Sequence, residues 1–216
     1  MSQIALKRTC MRDQIRDALV ERILDGTYPA GTQLKELLLA REFNVSQAPI
    51  REALRELEGS GLVTSERFRG TRVRGTDFNE MRESYELRAM LEGRSLQLAA
   101  PYQPPVIADL ERFLREMDLA LKKDDQERYI DHALRFHRRI VEAGGNRTFL
   151  NVWDSLLWDV RGRIALRRLA ETGRSLKPMI AMHRAVITRL KAQDGAGAAE
   201  RVREILDRVT SAFKPE

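Results

Sequence analysis

The 216-residue sequence has a single cysteine, Cys10, so no intrachain disulfide can form and nothing points to an oxidising compartment. Histidine is nearly as scarce, with three in the chain, which leaves little material for acid–base or metal-assisted catalysis. No stretch approaches 18 apolar residues, and the N-terminus lacks the apolar core of a signal peptide. No glycine-rich loop ends in Lys-Ser or Lys-Thr, and the GRSLQ segment from Gly93 to Gln97 lacks the second glycine of a nucleophile elbow. The expectation is a cytoplasmic protein that is not an enzyme and has no membrane partner.

What is present suits two domains. Hydrophobic residues make up 43% of the chain, ample for a core. Of the net charge of +6, half sits in residues 1–75, with 13 Lys+Arg against 10 Asp+Glu. That bias favours an acidic partner for the N-terminal part.

The segment from Val45 to Val63 orders its residues as a recognition helix does. Ser46 is a natural N-cap, Pro49 falls in the first turn, and Ile50, Ala53, Leu54 and Leu57 recur at helical spacing. The other face carries Gln47, Arg51, Arg55 and Glu58, and Gly59 and Gly61 stop the helix. Leu62 to Glu66 and Gly70 to Arg74 read as two short strands turning at Phe68 to Gly70, with Arg67, Arg69, Arg72 and Arg74 able to face phosphates. Two helices precede this unit, one with Ile15, Ala18, Leu19 and Ile23, the other with Leu34, Leu37, Leu38 and Phe43. Helix, helix, recognition helix and basic ribbon spell a winged helix-turn-helix over 1–75, whose partner is double-stranded DNA.

From 76 to 216 no strand alternation occurs, so this half is expected to be an antiparallel helical bundle and the whole fold mainly α. Gly75 and Thr76 form a linker, and Asp77 with Glu80 makes a capping box opening a long helix that Pro101 ends. Further helices are expected after Pro104, from about Asp125 to Ala143, Thr148 to Leu169, Ser175 to Ala192 and Ala196 to Phe213, six in all. Bundles place ligand sites between facing helices.

The stretch YPAGTQLKELLLAREFNVSQAPIREALRELEGSGLVTSERFRGTRV is similar to the N-terminal domain of GntR-family bacterial transcription regulators. YELRAMLEGRSLQLAA, RFHRRIVEAGGN and MHRAVITRLKAQD resemble the all-helical FCD effector domain of that family's FadR branch, in its short six-helix VanR-like form. The resemblance implies DNA contacts from Lys35, Ser46, Gln47, Pro49, Arg51, Arg55, Arg69, Gly70 and Thr71, with a homodimer on an inverted-repeat operator. It also implies a small-molecule effector, an organic acid or related metabolite, bound in the bundle by Arg88, His137, His183 and Asn146. Arg88 has the alternative of an ion pair with Glu92, and Asn146 that of capping the following helix. Two departures stand on the DNA side: Gln47 follows the capping residue, and Leu37 lies on the preceding helix, where the family often has arginines. Glutamine suits adenine where arginine suits guanine, so the operator should differ from the FadR-type site.

Many FCD bundles hold a divalent metal on an Asp four residues before a His, a second His and a third 22 residues later. Here that pattern maps onto Ala133, His137, His183 and Ile205. Half the donors are gone, so no cofactor is expected, and His137 and His183 are the ligands that would remain. The alternative from another class is a helical protein-interaction module without specific DNA binding.

Overall fold

The computed structural model describes residues 11–66, 69–74, 77–156 and 158–213; the expectations for Arg67, Phe68, Gly75 and Thr76 fall outside the described residues. Two compact units divide the chain, Met1–Thr76 and Asp77–Glu216.

The first unit contains α1 (Met11–Leu24), β1 (Gln33–Leu34), α2 (Glu36–Glu42), α3 (Gln47–Gly59), β2 (Val63–Glu66) and β3 (Gly70–Val73). Ile50, Ala53, Leu54 and Leu57 recur three and four apart, so all four fall on one side of α3 and are buried with Ile15, Leu19 and Val20 of α1. The wing pairs Val63 with Val73 through to Glu66 with Gly70, antiparallel, and Gly70 enters β3 at φ +79°, a conformation open to glycine.

Leu34, expected in the second helix, belongs to a third strand instead. It pairs with Thr71, as Gln33 does with Arg72, giving the sheet order β1-β3-β2. This pairing occupies the second edge of β3, whose backbone groups otherwise need another partner. The helix therefore begins late. Its buried residues are Leu39 and Ala40, whereas Leu37 and Leu38, from the apolar spacing expected to build this helix, are 50% and 54% exposed, because a seven-residue helix rests only one narrow face on α3.

The second unit has seven α-helices among the described residues: α4 (Phe78–Leu98), α5 (Pro104–Lys122), α6 (Gln126–Ala143), α7 (Arg147–Ser155), α8 (Trp158–Glu171), α9 (Lys177–Lys191) and α10 (Gly195–Thr210). A short 3-10 turn, Ser211–Phe213, follows. The extra helix arises because the stretch expected to run unbroken from Thr148 to Leu169 divides between Ser155 and Trp158. In one continuous helix, Trp153 and Trp158 would point about 140° apart. The break lets both be buried, with ring centroids 6.1 Å apart.

Asp77 caps α4 by accepting from the N–H groups of Asn79 and Glu80. α4 packs on α6 and α10, and α5 on α6 and α9. Close approach is obligatory where α6 ends: a side chain at Gly144 would stand 2.8 Å from Ser95 of α4.

Candidate nucleic-acid interface and buried cavity

The start of α3 is a surface. Ser46, Gln47, Arg51 and Arg55 are exposed, as is Lys35 before α2, and Pro49 is half-buried. Ser46 holds the N-cap position in extended backbone, but its hydroxyl accepts no helix N–H, so the capping bond expected of it is not formed. On the wing Arg69 and Gly70 are exposed and Thr71 is half-buried. Arg69 reaches Glu66 at 3.1 Å, Arg72 donates to the Gly31 carbonyl at 3.2 Å, and the Thr71 and Ser65 hydroxyls meet at 3.0 Å. Arg51 donates from Nε and Nη2 to the carboxylate of Glu36, the shortest contact being 2.8 Å. Glu36 carried no sequence signal, since its partner is 15 residues away on another helix.

In the second unit, α4, α6, α8, α9 and α10 line a small cavity of about 30 Å³, whose residues include Arg88, Tyr129, Ala133, His137, His183 and Ile205. A chain of polar contacts crosses its wall. Arg88 Nε donates to Glu92 Oε1 at 2.6 Å, and Trp153 Nε1 donates to the same oxygen at 3.3 Å. His137 Nδ1 lies 2.6 Å from Glu92 Oε2, and the Nε2 atoms of His137 and His183 are 3.3 Å apart. Of the two readings of Arg88, the ion pair with Glu92 is formed, and its guanidinium lies over the Trp158 ring at 4.8 Å.

Burial alone would raise the Glu92 carboxyl; the hydrogen bond from His137 and the charge and hydrogen bond of Arg88 outweigh it and hold Glu92 ionised. An ionised carboxylate only accepts, so His137 Nδ1 is the donor in that bond. The Met179 carbonyl, 2.7 Å from His183 Nδ1, imposes the same tautomer on His183. Burial, then the neighbouring His137, pushes His183 down to about 3, and burial also lowers His137. Both imidazoles therefore turn unprotonated Nε2 atoms towards each other. The Tyr129 hydroxyl, buried on the same cavity, has no hydrogen-bond partner among the described residues, and burial raises its pKa.

Asn146 does not belong with these residues. Its Oδ1 accepts from Thr148 N and Phe149 N at the head of α7, so the capping alternative is formed, and Asn146 is not among the residues lining the cavity. Glu92 is the member that sequence reasoning undervalued. Its spacing of four from Arg88 was visible, but that both would be almost wholly buried was not.

A divalent metal does not fit this donor set. Two imidazole nitrogens face one another, Ala133 and Ile205 offer no lone pair, and the Glu92 oxygens serve Arg88, Trp153 and His137. Among the described residues no group of three or more His, Cys, Asp and Glu side chains is arranged to hold a metal ion.

Residues 11–73 match the model of bacterial regulatory proteins of the gntR family, and residues 83–208 match the FCD domain. The chain is 31% identical over 189 residues to a protein of Paenarthrobacter nicotinovorans described as a probable D-xylose utilization operon transcriptional repressor, covering 88% of this chain and 82% of that one. It is 30% identical over 177 residues to the gluconate operon transcriptional repressor of Bacillus licheniformis, covering 80% and 72%. Among solved structures, E. coli McbR/YncC superposes with a TM-score of 0.71 over 95% of this chain and 97% of its own, at 21% identity. Lar of Listeria monocytogenes gives 0.67 over 96% and 98%, at 19% identity; at such identities the likeness is one of fold.

Proposed function

Because the chain belongs to the GntR family of bacterial transcription regulators and carries an FCD effector domain, we propose that it is a cytoplasmic homodimer whose first unit binds an inverted-repeat operator and whose bundle binds a small hydroxylated organic acid or related metabolite. DNA binding is the task of the winged helix-turn-helix; none of the described helices is long and apolar enough to cross a membrane.

The observation that carries the effector reading is the pair of His137 and His183 Nε2 atoms facing each other at 3.3 Å on the same cavity as the Tyr129 hydroxyl, which has no hydrogen-bond partner among the described residues. Two lone pairs 3.3 Å apart want a hydrogen-bond donor between or beside them, and the phenol wants an acceptor. A ligand with hydroxyl groups supplies both, and a carboxylate on it would be drawn towards Arg88. The two relatives above are named for operons of D-xylose and gluconate, both polyhydroxylated compounds. The cavity has room for about one water molecule, whereas pockets for small organic ligands begin at roughly 300 Å³. Effector binding therefore selects a more open bundle, and it acts on DNA only as far as its affinity differs between operator-competent and incompetent arrangements. The cavity works without a resident metal, since two imidazoles alone hold a divalent ion weakly.

The test is a panel of sugars, sugar acids and simple carboxylates, scored by thermal shift of the untagged protein and by release of a duplex selected from random DNA. A hydroxylated compound that does both, and fails in Tyr129→Phe, supports the reading. A response confined to compounds without hydroxyls, or near-stoichiometric zinc, nickel or manganese lost together in a His137→Ala and His183→Ala variant, overturns it.

A further inference from the structure

We infer that Glu36 is a specificity-determining residue of the DNA-reading surface, holding one edge of the Arg51 guanidinium so that the other is aimed at a single base. The inference rests on the proposed reading in which Arg51 meets base edges. Glu36 opens α2 and Arg51 lies in the second turn of α3. Arg51 Nε is 3.1 Å from both carboxylate oxygens and Nη2 is 2.8 Å from Oε2.

The guanidinium is a rigid planar fork with five N–H donors. Nε–H and one N–H of Nη2 face Glu36, which leaves the edge made by Nη1 and the remaining N–H of Nη2. Two parallel donors on that edge match O6 and N7 of guanine. The Arg51 side chain is 52% exposed and that of Glu36 32% exposed, so the outer edge is accessible. Exposed ion pairs add little to folding stability, and a carboxylate beside a DNA-binding face repels phosphates. Support of the fold is thus a weak reason for Glu36 to stand there. Orientation is a better one: a free arginine must give up its rotamer freedom on engaging a base, whereas one already clamped has given it up in the unbound protein and presents one edge only.

The experiment uses the full chain. A preferred duplex is selected from random double-stranded DNA, and the wild type and variants are titrated with it and with each of its single-base replacements. Arg51→Ala should lose preference at one position of each half-site by about tenfold. Glu36→Ala should lose preference at that same position by about fivefold, with the double variant no worse than Arg51→Ala alone. Its affinity for non-specific DNA should hold or rise. Glu36→Gln, uncharged but still accepting through its carbonyl oxygen, should keep part of the preference and serves if the alanine variant melts early. Uniform weakening on every duplex would mean a structural role and overturn the inference, as would loss at a different position, losses that add to those of Arg51→Ala, or unchanged preference. If Arg51→Ala itself alters no base preference, the reading beneath the inference fails and the inference with it.

Discussion

Two of the molecule's arginine–glutamate pairs differ sharply in what surrounds them. Arg51 and Glu36 stand in water, at 52% and 32% side-chain exposure, while Arg88 and Glu92 are at 4% and 0%. In water a guanidinium can turn an edge to a new partner at little cost, since solvent screens the pair and solvates what is released. Inside the bundle the same contact is bound to its surroundings. Withdrawing either partner leaves a bare charge in a low-dielectric site, so Arg88 and Glu92 can admit a ligand only if the ligand replaces what is lost. Exposure suits a side chain for reading a sequence, and burial suits one for registering a ligand through the fold.

The sharpest break of this contrast is Glu92→Ala. It strands Arg88 and leaves His137 Nδ1 without an acceptor, and should destabilise the second unit by about 3–5 kcal/mol in a denaturant titration. Glu36→Ala, by contrast, should leave the midpoint nearly unmoved. Equal losses from the two variants would erase the distinction.

Acid should separate the units next. The folded pKa of His183, about 3, lies below its ordinary value of 6.5, so between those limits the unfolded chain binds a proton that the native bundle excludes. Stability is therefore intact above about pH 6.5 and falls as pH drops below it, by up to about 1.4 kcal/mol per pH unit for one such group. His137 is lowered in the same direction, and Glu92, also lowered, adds its loss at still lower pH. Urea titrations from pH 7.5 to 5 should show this slope, and His183→Asn should flatten it. A bundle that gains stability on acidification would mean instead that the two Nε2 atoms share a bound proton.

A smaller contrast lies in the caps. Asn146→Ala should cost about 1 kcal/mol while sparing any effector response, because Asn146 serves two N–H groups of α7 and not the cavity. Ser46→Ala should cost less, since no capping bond is formed there, and any effect should appear in DNA affinity. The smallest expected effect is on the wing: Arg69→Gln should weaken binding to all duplexes alike and reduce the salt slope by about one. Loss at a single base position would show direct readout instead.

Much of the DNA-binding unit was legible because its signals are local. The spacing of Ile50, Ala53, Leu54 and Leu57, the stop at Gly59 and the basic ribbon lie within 30 consecutive residues, and helical and strand periodicities need no distant partner to be recognised. The errors came where a neighbour far along the chain decided the outcome: Leu34 became a strand because β3 had an open edge, and the stretch after Thr148 broke in two because both tryptophans found room in the core.

Local pattern along the chain was enough for two units, a recognition helix with its basic wing, an all-helical second half, and two inward histidines without the Asp and third His of a metal set. Tertiary structure alone decided which charges meet. It set Glu92 between Arg88 and His137, faced the two Nε2 atoms, left the Tyr129 hydroxyl unpartnered and clamped Arg51 on Glu36. The physical reason is range. Helical pattern is written in steps of three and four residues, but the energy of a charge depends on burial and on partners that may lie 45 residues away, as Glu92 and His137 do.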